Sequence, residues 1–265
     1  LRLVDAEKAY HVVLSLDNKY QGAWFNVGTN YLRQNKIPQA IYSYFNEMEK
    51  HPSAQSMVQI GKGYSDLGKP DSALIAFEKA IRINKDFAPA YMRLSHLKKD
   101  AGEINEAIAY AKKGMQIDPD NIDYKYFMGS LLLLNGEPKL SIPFFNEVVD
   151  DKPWHYWAHH NLGQALFRVG KKTKSEYYIS RAKDLQKGIQ EIENWRNLAN
   201  MNPDQFMLWI NLGNSLPLNA KSSSTAAPVA KLPFLVFFND AILRSLYIIC
   251  PSCFVEAMLN SFFEI

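Results

Sequence analysis

Residues 21–54 read QGAWFNVGTNYLRQNKIPQAIYSYFNEMEKHPSA, and this stretch decides the fold. Two amphipathic runs, each with apolar residues recurring at helical spacing, are separated around Asn35-Lys36 and closed by Pro52. Gly28 lies inside the first run and Ala40 inside the second, and each belongs to a ladder that extends along the chain. Gly28, Gly61, Ser95, Gly129 and Gly163 stand 33, 34, 34 and 34 residues apart. Ala6, Ala40, Ala73, Ala107, Ser141 and Ser175 are spaced 34, 33, 34, 34 and 34, twelve residues beyond the first ladder where both exist. A fixed period of this length is the mark of a repeat array. Two rows of small residues mean two helices per repeat, since helices cross closely only where the side chains at the crossing are small.

Four residues after each member of the second ladder come Tyr10, Tyr44, Phe77, Ala111, Phe145 and Ile179, on the same helical face and therefore core knobs. Asn35, Gly68, Gly102, Gly136 and Gly170 mark the turn between the two helices, where a left-handed residue is needed. Pro38, Pro70 and Pro138 fall near the start of the second helix, where a missing N–H costs little. Second helices are expected to end near Pro52, Pro119, Pro153 and Pro203, with Asn18, Lys85 and Lys187 in that slot elsewhere.

On these rows residues 1 to about 216 resemble the tetratricopeptide repeat, a 34-residue helix-turn-helix unit. Residues 21–54 match best, through Trp24, Val27, Gly28, Tyr31, Ala40, Tyr44 and Pro52. Residues 88–121 depart most, with Ser95 for Gly and Lys98 for an aromatic, and Glu47 replaces an expected Ala, which puts close packing at that crossing in question. The resemblance implies an all-α fold, a right-handed α-solenoid of stacked helix-turn-helix hairpins, followed by a divergent hydrophobic C-terminal tail. About five full or near-full repeats are expected, with half repeats at both ends. Ala6, Tyr10 and Val13 fill second-helix slots of a unit whose first helix is absent, and residues 205–216, with Trp209, Leu212 and Gly213, supply a first helix with no second.

Tyr178, Ala182, Leu185, Ile189 and Ile192, continued by Trp195 and Leu198, predict one long helix over about 173–200 with Gly188 as a weak point; the alternative is two helices broken at Lys187-Gly188. Residues 217–231 read as a linker and residues 232–265 as a hydrophobic tail open to three readings. One is a membrane segment, opposed by Asp240 and Arg244; another is a cap over the helix at 205–216; the third is a non-native C-terminus.

Composition narrows the function. Among 265 residues, 30 Lys and Arg against 27 Asp and Glu leave a net charge of +3, so no nucleic-acid partner is expected. Cys250 and Cys253 are the only cysteines, which leaves the first 249 residues to be held by packing, and no second ligand pair accompanies them for zinc. His155, His159 and His160, with Trp154 and Trp157, form the densest cluster of reactive side chains, but no His-Glu-x-x-His signature is present. Phosphate loops, nucleophile elbows and dinucleotide fingerprints are also missing. No catalytic residue, cofactor or metal is therefore assigned, and the chain is read as a non-enzyme.

The family resemblance implies that the first helices line a concave groove that binds a peptide or helical segment of a partner protein. Carried over slot by slot, Phe25, Val58, Met92, Tyr126, His160 and Ile210 form one mainly apolar row. Thr29, Lys62, His96, Ser130, Gln164 and Asn214 form a polar row one helical turn away. Asn26, Asn161 and Asn211 share the slot before the Val-Gly or Leu-Gly pair, where Gln59, Arg93 and Phe127 stand in the other repeats, and Trp157 adds an aromatic anchor. An apolar row beside a polar one can bury a ligand's anchors while satisfying its backbone. The basic and Asn clamp of the chaperone-binding subgroup is not reproduced, since Phe25 with Thr29 occupy the expected Lys and Asn slots. The expected function is thus a protein-interaction scaffold. Its alternatives are a substrate-recruiting or regulatory segment of a larger enzyme, and an adaptor tethered to a membrane through residues 232–265.

Overall fold

The computed structural model describes residues 2–201. The linker, the tail, the helix expected at 205–216, both cysteines, and the groove residues Ile210, Asn211 and Asn214 lie outside the described residues. Within them the chain forms eleven helices and no strand: α1 (Arg2–Leu16), α2 (Ala23–Arg33), α3 (Ile37–Lys50), α4 (Ala54–Asp66), α5 (Pro70–Ile83), α6 (Ala88–Asp100), α7 (Ile104–Ile117), α8 (Ile122–Leu134), α9 (Pro138–Asp151), α10 (Tyr156–Arg168) and α11 (Lys172–Met201). Two compact units divide this chain. The first runs through Val148 and includes Ala165–Lys171; the second holds Val149–Gln164 and α11.

The turn chemistry explains the hairpins. Asn35 (φ 58°), Gly68 (68°), Gly102 (80°), Gly136 (79°) and Gly170 (82°) all adopt the left-handed conformation that reverses the chain after each first helix. Pro38 and Pro70 then sit in the first turn of α3 and α5, where the lost N–H had no helical partner. Two helices are capped by the residue just before them: Ser53 Oγ accepts from Ser56 N, and Asn121 Oδ1 accepts from Asp123 N and Tyr124 N.

Within the first unit each helix packs on its neighbours in order from α1 to α8, and the first helices α4 and α6 also touch directly. The two small-residue ladders are the seams of these hairpins. A Cβ added to Gly28 would lie 2.8 Å from Tyr44 Cε1, one on Gly61 2.6 Å from Phe77 Cδ1, and one on Gly129 2.9 Å from Phe145 Cε1. In the second unit a Cβ on Gly163 would lie 2.7 Å from Ile179 Cδ1. The knob thus fills the space vacated by the glycine side chain, and Tyr44, Phe77 and Phe145 are each at most 1% exposed. Burial of such a ring contributes about 1.5–3 kcal/mol.

The repeat that breaks the glycine ladder breaks the knob row in compensation. Ser95 replaces Gly, and sixteen residues later Ala111 replaces the aromatic, so volume moves from one helix to the other across the same seam. Buried Ser95 Oγ donates to Ala107 O at 2.5 Å, which satisfies the extra hydroxyl. Ser175, which stands for Ala in the second ladder, donates to Gly163 O at 2.8 Å, again across twelve residues.

Glu47 does not spoil its crossing. It is 4% exposed, and its carboxylate accepts from Gly22 N (2.9 Å) and Phe25 N (3.3 Å), two donors at the start of α2 that have no side-chain cap of their own. A negative group is favoured there by the helix dipole as well as by the hydrogen bonds. In the second unit α11 runs as one helix through Gly188, which has nothing within 4 Å of its Cβ position.

Candidate peptide-binding face

In the first unit the slots carried by α2, α4, α6 and α8 show how packing divides the expected groove residues. Val58 (5% exposed) and Met92 (4%) are buried in the core and do not lie open on this face; Met92 Sδ closes on Gly114 of α7, whose Cβ position is 2.8 Å away. Phe25 and Tyr126 are half-buried, their rings leaning on the knobs Tyr44 and Phe145 at 5.3 and 6.0 Å. The apolar row therefore offers two ring edges in this unit and not four anchors. Of the polar row, Thr29 Oγ1 donates to Phe25 O at 3.0 Å and lies 3.1 Å from Tyr44 Oη, while Ser130 Oγ donates to Tyr126 O at 2.9 Å. Asn26 and Arg93 are exposed, and Lys62 is half-buried.

Phe127, in a slot polar or charged in the other repeats, turns inward to 9% exposure and stacks on His96, centroids 3.8 Å apart at 28°. Lys99 Nζ lies 5.9 Å from the same ring. Burial, and then the positive charges of Arg93 and Lys99, push the His96 imidazole down from its usual 6.5 to about 4. At neutral pH His96 is therefore an uncharged aromatic surface.

A cleft of about 610 Å³ opens beside it, walled by α4, α5 and α6. Leu74, Phe77 and Leu97 contribute its apolar lining; Lys62, Arg93 and His96 come from the first helices, Asp66 and Asp100 from the last residues of those helices, and Asp71 from the first turn of α5. Sequence reasoning found Lys62, Arg93 and His96 by their slots but missed the acids, which sit outside the two rows. Their signal was the recurrence of Asp66 and Asp100 34 residues apart.

The second unit has its own face on α10. Trp157 is 51% exposed, stands 4.5 Å from the Tyr156 ring and meets His160 edge-on at 6.1 Å. Gln164 Nε2 lies 2.9 Å from His160 Nε2, and Asn161 is half-buried alongside. The neighbouring histidines serve the helix itself: His155 Nδ1 accepts from Ala158 N, and the Nε2 of buried His159 is 3.0 Å from Pro153 O. Among the described residues no three His, Cys, Asp or Glu side chains converge as metal ligands.

Hairpins with this turn, seam and period have relatives. The tetratricopeptide-repeat family matches over residues 65–131, which span α5 to α7 and parts of their neighbours. The chain's helix-turn-helix fold is that of the tetratricopeptide repeat. The chain is 31% identical over 83 residues to the small glutamine-rich tetratricopeptide repeat-containing protein 2 of Mycosarcoma maydis, covering 31% of this chain and 24% of that protein. It is 24% identical over 194 residues to the human protein O-mannosyl-transferase TMTC1, covering 65% of this chain and 22% of that protein. Among solved structures, YrrB, described as a TPR protein with an unusual peptide-binding site, superposes with a TM-score of 0.56 at 18% identity, covering 68% of this chain and 94% of YrrB. This chain thus spans about a quarter or less of the curated relatives it matches.

Proposed function

We propose that this tetratricopeptide-repeat chain is a non-catalytic interaction scaffold that holds a peptide or helical segment of a partner protein on the first-helix face of its hairpins. The observation that carries this reading is the cleft of about 610 Å³ on α4, α5 and α6, with an apolar lining and with Lys62 and Arg93 at its side. Phe25, Asn26, Thr29, Tyr126 and Ser130 extend the same role along α2 and α8 of the first unit. Trp157, His160, Asn161 and Gln164 are assigned the role separately on α10 of the second. Tight hairpin seams support the reading as well, because a rigid wall lowers the ordering cost of gripping a flexible segment.

A second reading has one observation in its favour. The match to an O-mannosyl-transferase, of which this chain spans 22%, fits a repeat segment that recruits substrates for a catalytic domain elsewhere in a longer protein. Affinity capture with the full chain separates the face from its alternatives. An Arg93→Ala/Tyr126→Ala pair should lose a set of captured proteins that a Tyr42→Ala/Ile75→Ala pair on the exposed side of the second helices retains. Loss from the second pair and not the first would overturn the proposal.

A further inference from the structure

The cleft between α4, α5 and α6 carries both signs of charge, and they are segregated. Lys62 on α4 and Arg93 on α6 lie toward the middle of the first helices, and among the described residues neither takes part in an ion pair. Asp66, Asp71 and Asp100 line the turn-side end of the cleft; Asp66 and Asp71 are also outside any ion pair, and Asp100 meets only its neighbour Lys99. The other charged lining groups are already matched, since Lys98 is paired with both Glu103 and Glu106. His96, held neutral between the cations and the acids, adds no charge at neutral pH. Leu74, Phe77 and Leu97 supply apolar lining beneath the charged rim.

Resting on the reading given above, we infer that this cleft takes an internal stretch of a partner polypeptide in which an acidic side chain faces Lys62 and Arg93 and a basic side chain two residues away faces Asp66, Asp71 and Asp100. The spacing follows from the helices. Lys62 to Asp66 is one turn, about 6 Å along the axis, and Arg93 to Asp100 is about 10 Å. An extended peptide puts side chains of the same face about 6.6 Å apart at every second residue, a span that long acidic and basic side chains stretch to match. A chain end with its carboxylate on Lys62 and Arg93 would leave the three acids unmatched by the ligand, Asp66 and Asp71 with no counter-charge at all and Asp100 with its neighbour Lys99 alone. A phosphate there would add repulsion from the same three. The two-signed rim therefore selects a mid-chain acid-x-base pattern over a terminal carboxylate, with opposite charges also steering the encounter.

The test is a selection on the full chain from a library of random dodecapeptides displayed between constant flanks, so that no free terminus is offered. Enriched peptides should carry an acidic and a basic residue two positions apart. One of them, synthesised with both ends blocked and labelled with fluorescein, should bind the Lys62→Glu/Arg93→Glu variant at least about tenfold more weakly than the unaltered chain. Replacing its acidic residue by Lys should recover binding to that variant; Lys62→Gln/Arg93→Gln, checked by circular dichroism, repeats the loss without charge reversal. Peptides that lack the pattern, or bind the charge-reversed chain equally well, overturn the inference. If those peptides nonetheless lose binding in Tyr126→Ala, the first-helix face stands and only its charge specificity fails. If no peptide is enriched, both readings fall.

Discussion

Gly61 and Gly188 are both interior helical glycines, and replacing each by alanine should change stability in opposite directions. Alanine in place of glycine gains about 1 kcal/mol of helix propensity in both helices. At Gly61 the new methyl would lie 2.6 Å from Phe77 Cδ1 and 2.9 Å from Cζ, against a ring that is 1% exposed and has no room to swing aside. Overpacking of this kind costs about 1–3 kcal/mol, and contacts below 3 Å on a locked ring place it toward the upper end. The net expectation for Gly61→Ala is a loss of about 1–2 kcal/mol, while Gly188→Ala, with nothing within 4 Å, gains about 0.5–1 kcal/mol. Repeat arrays open locally, so the assay is amide hydrogen exchange resolved to α4, α5 and α11, alongside urea unfolding followed by circular dichroism. Phe77→Leu in the Gly61→Ala background should recover part of the loss. If Gly61→Ala is as stable as the parent, or both glycines respond with the same sign, the seam does not work as described.

Other outcomes follow from the same contacts. Ala111→Phe alone should cost about 1–3 kcal/mol against Ser95, and Ser95→Gly should relieve it, a coupling that a double-mutant cycle by urea unfolding reads directly. Glu47→Ala strands the amides of Gly22 and Phe25 and should cost about 1–3 kcal/mol, with faster exchange at the start of α2. His96 is neutral in the folded chain down to about pH 4 but takes up a proton near 6.5 when unfolded. Its contribution is therefore complete above about 6.5 and lost as the pH falls toward 4. His96→Gln should flatten the fall of the urea midpoint across that window, and an NMR titration of the His96 ring should show no protonation at pH 6.

The period, the hairpins and the turns were legible because each is enforced by a local constraint. A seam needs a small residue wherever a knob arrives, and a reversal needs Gly or Asn at positive φ. Chemistry that reaches across the chain was less legible. Glu47 looked like a misfit in its own helix because its function is exerted on α2, more than twenty residues earlier. Val58 and Met92 occupy slots of an open face, yet their burial depends on what α3, α5 and α7 bring against them, which slot counting does not encode. The exchange of volume between Ser95 and Ala111 was written in the sequence, sixteen residues apart, but it takes the geometry of the other seams to recognise it as one substitution in two parts.

The most direct measurement of the central claim is to map backbone amide shifts of the chain while a selected peptide is titrated in. The account predicts that perturbations gather on the first helices, around Asn26, Thr29, Lys62, Arg93, His96 and Ser130, while Tyr42, on the exposed side of α3, stays still. Perturbations confined to the second helices, with the cleft residues unmoved at saturation, would contradict it.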